Sequence, residues 1–430
     1  MANDVLSLVI FGCCIVLFVW DKLPMATSAI LGCAVMVLFG VCDFKTAFGE
    51  FSSTTVLMLI GVLIVGNAMA ETGVANRAGR LLLRFSGNRE RVLIGAAFLL
   101  AMVLSTFMTN VTVLAIFIPV IFALSRDNRG IHPMNVVIPL TLAVNMGGIT
   151  TLVGSSQQMT AQGLLQEYGY DGFLVFDFAP FGVALGIASL AYVLLVGYPL
   201  GRRIWGSREV NAEGVGEISA QPEVPRGRII AMSVIFAVMV LLYVTQRIPF
   251  TEVAVPPHLT STLAALACII TGCISQKKAI AGVNWNIVGR LAGCLGLAKA
   301  LNAAGGIRLI SDWFMAGIGA NLTPMLLFVV VVVAAQLLSL VISNSTAISV
   351  MLLVVMSVAP ALQLNVQAFA MGIVLSSSMG ACCPLSGSTW GISMAAGYSF
   401  RDYFKYGVGV DALCCLVIIA LVPAIMGLTV

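Results

Sequence analysis

Four small polar residues, Ser343-Asn344-Ser345-Thr346, interrupt a long apolar stretch, with apolar arms at 325–342 and 347–358. Each arm is roughly 15 residues and reaches only partway through a hydrocarbon core about 30 Å thick. Polar residues at that depth are costly unless they line a cavity or face other protein. The stretch therefore reads as a re-entrant hairpin with its tip near the membrane midplane. A second such stretch, Thr109-Asn110-Val111-Thr112, lies in the first half of the chain, again between short apolar arms. Hydropathy alone also admits two full spans at this first copy.

The duplication extends well beyond the tips. Residues 67–74 correspond to 299–306, and the glycine- and hydroxyl-rich run 146–156 corresponds to 379–389. Adjacent glycines and polar clusters break helix continuity in both runs, which predicts two half-helices joined by an unwound loop. Each unit then holds five spans and one hairpin, and an odd number of spans forces the second unit to be inverted. The charges agree. Arg77, Arg80, Arg84, Arg89 and Arg91 mark one side as cytoplasmic, and Glu167, Asp171 and Asp177 mark the other as external.

These features predict an all-α polytopic membrane protein built from two inverted repeats of five transmembrane helices. Residues 1–200 form the first repeat, with a hairpin at 92–125 and a broken helix at 136–165. Residues 201–228 form a basic cytoplasmic linker. Residues 229–430 form the second repeat, with a hairpin at 323–360 and a broken helix at 366–396. Amphipathic segments at 74–85 and 305–322 read as interfacial helices. Both termini are expected on the outer side of a bacterial inner membrane.

Composition closes off other classes. The chain is 60% hydrophobic and only 9% charged, against about a quarter charged in soluble domains. The eleven cysteines lie mostly in apolar segments without metal-ligand spacing, and the two histidines, His132 and His258, fall in loops beside proline. A histidine- or metal-based enzyme and a nucleic-acid partner are both disfavoured; a lipid bilayer is the expected environment. Inverted repeats with broken helices are the construction of secondary transporters, with the site at the repeat interface.

The tips and breaks carry the candidate chemistry. Half-helix N-termini favour an anion, and unwound carbonyls favour a small cation. Neither hairpin tip nor either break contains Asp, Glu, His, Lys or Arg. That absence favours sodium coupling or plain exchange over proton coupling. Arg290 and Lys299 lie in an apolar span. Their simplest reading is snorkelling, Arg290 toward the cytoplasm and Lys299 toward the outside; substrate attraction or gating is the alternative.

The order of elements, the paired Ser-Asn-Thr-like tips and the Gly-Ser/Thr loops resemble the divalent anion–sodium symporter family of the ion transporter superfamily. The first tip departs by placing Val111 where a hydroxyl is expected. It is also similar to the arsenite-permease-like branch, with Thr109 in place of an Asp. The resemblance implies a homodimer in which a scaffold carries a moving transport domain as an elevator. The implied substrates are small divalent anions such as succinate, malate or citrate, and the implied coupling ion is sodium. One sodium site would use Ser105, Thr109, Asn110 and Gly154, and a second Ser339, Ser343, Asn344 and Gly387. The anion would touch Asn110, Thr112, Ser155, Asn344, Ser345, Ser388 and Thr389. An inorganic oxyanion carrier, sulfate- or arsenite-like, or a sodium-independent exchanger is the other reading.

Overall fold

The computed structural model describes residues 3–20, 23–73, 89–127, 131–205, 208, 225–247, 253–306, 309, 323–340, 342–384 and 386–429. The interfacial segment expected at 74–85, most of the one at 305–322 and most of the 201–228 linker lie outside them. Among the described residues the regular secondary structure is helical apart from two isolated bridges, Arg247 with Ala254 and Leu364 with Thr429. A helix satisfies every interior backbone group within one segment, which is what an apolar surrounding demands.

The first half runs α1 (Asn3–Trp20), α2 (Met25–Leu38), a short α3 (Phe44–Phe48) and α4 (Thr54–Glu71). The pair α5 (Glu90–Ser105) and α6 (Asn110–Asp127) follows, then the pair α7 (Pro133–Gly148) and α8 (Ser156–Glu167). It ends with α9 (Ala179–Tyr192), which passes through a π turn into α10 (Tyr198–Trp205). The second half runs α11 (Arg226–Thr245), α12 (Pro257–Ile270), a short α13 (Gln276–Gly282) and α14 (Trp285–Ala303). It continues with α15 (Pro324–Ser339) and α16 (Asn344–Leu362), then α17 (Val366–Ser377) and α18 (Ser388–Ser393), and ends with α19 (Phe400–Met426). Side-chain caps fix several starts, including Asn284 Oδ1 on Ile287 N at 3.4 Å and Asn365 Oδ1 on Ala368 N at 3.2 Å. Such a cap is worth about 1 kcal/mol.

The same packing pairs occur in both halves. Helix α5 lies along α7, and α7 also meets α6 and α9; α15 lies along α17, and α17 also meets α16 and α19. Other pairs cross between halves: α2 packs on α14, and α4 on α12. A Cβ on Gly61 of α4 would lie 2.7 Å from the Ser261 carbonyl carbon of α12, and one on Gly293 of α14 would lie 2.9 Å from Ala29 Cβ of α2. Gly61 and Gly293 are repeat counterparts, and Ala29 and Ser261 stand at the same offset from one another. Small residues let both pairs of backbones approach closely.

Among the described residues four segments are long and apolar enough to cross a membrane by length and composition: Phe44–Glu71, Ala179–Trp205, Arg226–Thr245 and Phe400–Met426. The spans expected at 26–41 and 259–274 come out shorter. Helices α2 and α12 have 14 residues each, a rise of about 21 Å. They stop before Gly40 (φ 69°) and Gly272 (φ 71°), where the left-handed backbone turns the chain. The second broken helix is also unlike the first: α8 has 12 residues, whereas α18 has six followed by a 3-10 turn.

Candidate functional site

Each hairpin tip closes on itself through a hydroxyl. Thr109 Oγ1 accepts the Thr112 N–H at 3.3 Å and lies 2.6 Å from Thr112 Oγ1. Ser343 Oγ accepts the Thr346 N–H at 3.3 Å and lies 2.7 Å from Thr346 Oγ1. These are N-caps of α6 and α16, and they fix where each helix N-terminus points.

Asn110 anchors the first tip. Its Oδ1 accepts from Ser105 Oγ at 2.7 Å, and its Nδ2 donates to Asn145 Oδ1 at 3.1 Å. The same Asn145 oxygen accepts from Thr389 Oγ1 at 3.1 Å, and Asn145 Nδ2 donates to Thr141 O at 3.0 Å. Asn145 thus joins the first tip, the first helix break and the second break. Glycines make the room. A Cβ on Gly148 would lie 2.5 Å from Asn110 Oδ1, and one on Gly147 would lie 2.8 Å from the Met102 carbonyl carbon.

The second tip is wired differently. Ser339, the counterpart of Ser105, donates to Gln336 O at 2.7 Å and Met379 O at 3.5 Å. Asn344 Oδ1 is buried and has no hydrogen-bond partner among the described residues.

Side-chain hydrogen bonds from within the loops and from flanking helices hold the unwound loops. Gln158 Nε2 donates to Gly148 O at 2.9 Å, and Gln158 Oε1 accepts from Ser155 Oγ. In the second loop, Asp411 of α19 accepts the Ala381 N–H at 3.0 Å on Oδ1 and the Cys382 N–H at 2.9 Å on Oδ2. Ser386 Oγ lies 2.6 Å from Gly380 O and 2.8 Å from Cys383 O.

Together these parts enclose a cavity of about 550 Å³. The starts of four helices line it, through Asn110 of α6, Ser156 of α8, Asn344 of α16 and Thr389 of α18. No Asp or Glu is among its described lining residues. Arg290 of α14 is, and its Nη2 donates to Ser156 Oγ at 3.0 Å.

Of the residues singled out in the sequence, Thr109, Asn110, Gly154, Ser155, Ser343, Asn344, Ser345, Gly387 and Thr389 line this one cavity. Ser105, Thr112 and Ser339 do not. Ser105 stands behind Asn110, Thr112 is drawn back into the Thr109 cap, and Ser339 turns to backbone carbonyls. Ser388 opens α18 between two lining residues. Of the two cations, Arg290 lies at the cavity, the alternative to snorkelling, whereas Lys299 meets Glu167, one of the acidic residues expected on the outer side. Arg290 turns inward to the cavity because Ser156 offers it an acceptor there. Lys299 is held by Glu50 at 2.9 Å and Glu167 at 3.1 Å. Asn145, Gln157, Asn284, Asn286, Ser378 and Ser386 also line the cavity and were not anticipated. For Asn145 and Ser378 a signal existed: each immediately precedes the Met-Gly that opens its break, at matching positions of the two halves.

The model of the citrate transporter family, CitMHS, matches residues 15–373 and 250–428. The chain belongs to the CitMHS citrate transporter family. This places it in the ion transporter superfamily with the divalent anion–sodium symporters. An uncharacterized transporter of Synechocystis sp. is 29% identical over 191 residues, 44% of this chain and 31% of that one. A protein named Probable sodium/sulfate cotransporter 3, of Chlamydomonas reinhardtii, is 28% identical over 159 residues, 35% of this chain and 17% of that one. The chain spans under a third of the length of such relatives. The YdaH transporter of Alcanivorax borkumensis shares the fold, with a TM-score of 0.64 at 14% identity over 99% of this chain and 98% of that one. This CitMHS-family chain is an integral membrane protein of a transporter family.

Proposed function

We propose that this protein is a secondary active carrier of small carboxylate dianions or citrate, coupled to sodium. The observation that carries the reading is the convergence of four helix starts on one cavity whose described lining has no carboxylate. Free N–H groups and the positive ends of the helices favour an anion there. The helices that pack across the halves, α2 with α14 and α4 with α12, serve as scaffold. The hairpin and broken-helix groups α5–α9 and α15–α19 serve as the transport domain. The duplicated packing supports an inverted repeat and elevator motion, with scaffold contacts forming a homodimer.

The second oxygen set fits a sodium ion. Asn344 Oδ1 is a buried acceptor without a donor, and Ser343 and Gly387 line the same cavity. The first set is more fully used within the protein, since Ser105 and Asn110 bond each other. A bound cation supplies charge that offsets the anion beside it; the protein orients the oxygens and excludes lipid.

Labelled succinate and citrate uptake into proteoliposomes, with and without an inward sodium gradient, tests the reading. Sodium-stimulated uptake is expected. Absence of both sodium dependence and counterflow for every carboxylate tried overturns it. Competition by sulfate would favour the oxyanion reading, which the name of the Chlamydomonas relative supports.

A further inference from the structure

Arg290 is the one cation lining the cavity among the described residues, and neither the tips nor the breaks supply it. It comes from α14, a helix buried along most of its length. Its single described hydrogen bond goes from Nη2 to Ser156 Oγ. A guanidinium offers five N–H donors and no acceptor, so most of its capacity is unused by those partners. No described carboxylate pairs with it. Helix α14 carries no Asp or Glu of its own, and Glu50 and Glu167, which pack against it from other elements, both hold Lys299.

Arg290 is half-buried at the cavity, and a cation drawn out of water without a counter-charge is costly. The planar fork of arginine matches a carboxylate bidentately. The counterpart position in the first half, at the offset that relates Gly61 to Gly293, is Met58, a buried residue that is not among the lining ones. The duplicated halves therefore present polar tips twice but a guanidinium once. An anion with two carboxylates meets two different partners: the helix starts for one group and Arg290 for the other.

We propose that Arg290 is the specificity-determining residue that counts carboxylates. It engages the group beyond the one held at the tips, and so selects di- and tricarboxylates over monocarboxylates. Ser156 parks the guanidinium until that group arrives. The inference rests on the anion-carrier reading above.

The test uses the full-length purified protein in proteoliposomes and two near-isosteric probes, succinate and its monoamide succinamate. Uptake constants are measured for the natural protein and for Arg290→Gln and Arg290→Lys. The natural protein is expected to prefer succinate at least about tenfold, as a charge-assisted bond implies. Arg290→Gln should collapse that ratio toward one by raising the KM for succinate alone. Arg290→Lys should restore part of it. Equal weakening of both probes, with the ratio intact, would mean that Arg290 acts only structurally and overturns the inference while the carrier reading stands. If the natural protein takes up neither probe nor citrate, both readings fall together. Should Arg290→Gln not assemble, the Arg290→Lys ratio decides: an unchanged Vmax with a lowered preference supports the assignment, and an unchanged preference removes it.

Discussion

Thr389 Oγ1 donates to Asn145 Oδ1 at 3.1 Å across 244 positions of sequence, and Asn110 Nδ2 donates to the same oxygen. One amide oxygen therefore holds the break of the second half against the tip of the first. Asn145→Ala strands both donors, at about 1–3 kcal/mol for each buried group left unsatisfied. Uptake is expected to fall more than tenfold, with a lower melting temperature in detergent. A mutant melting like the natural protein would show that the network is not what holds the two loops together.

Asn110 and Asn344 are counterparts with different surroundings, so their alanine variants should fail differently. Asn110→Ala removes two hydrogen bonds formed within the protein and should lower stability even without ligand. Asn344→Ala removes an oxygen that no described group uses. It should express and melt normally in choline chloride, abolish transport and lose any stabilisation by sodium chloride. Sodium-dependent stabilisation that survives in Asn344→Ala would remove that oxygen from the cation site.

Asp411 and Gly407 lie one turn apart on α19 and meet the same loop. Asp411 accepts two backbone N–H groups, whereas a Cβ on Gly407 would collide with the backbone of Ala381 and Cys382. Asp411→Asn turns an amide N–H toward one of those donors. Gly407→Ala pushes the loop away from α19. Both variants are expected to cut uptake at least tenfold by displacing Ser386 and Gly387. Normal uptake by Gly407→Ala would show that the loop tolerates displacement.

Lys299 lies between Glu50 and Glu167, about a third exposed at its side chain. Lys299→Met leaves two carboxylates facing each other. Solvent reaches the site, so the loss of stability should be near 1 kcal/mol. Double replacement with Glu167→Gln should recover part of it. Thermal melts of the single and double variants check this, and additive losses would show that the three charges are not coupled.

The sequence made the tips legible because polar residues between short apolar arms have few physical uses at membrane depth. Thr109, Asn110, Ser343 and Asn344 could be named from that alone. The resemblance places Thr112 at the anion, and spacing does not reveal whether a hydroxyl faces a ligand or its own helix; in the structure the Thr112 hydroxyl meets Thr109 and is not among the cavity's lining. The absence of charge held for the tips and breaks but not for the site they form. Arg290 reaches the cavity from α14 and Asp411 braces the second loop from α19 without lining the cavity, and hydropathy along one segment says nothing about what a different segment brings to it. The spans that ended early were also signalled. Gly40 and Gly272 sit where each stops, and a left-handed glycine outranks a continuing apolar run.

The twin crossings at Gly61 with Ser261 and Gly293 with Ala29 give the molecule an internal control. A methyl group added at Gly61 and one added at Gly293 are the same perturbation made once in each half. In a perfectly symmetric object the two would cost the same. Any difference between their effects on melting or on uptake therefore measures, in one subtraction, how unequally this conformation treats its two halves.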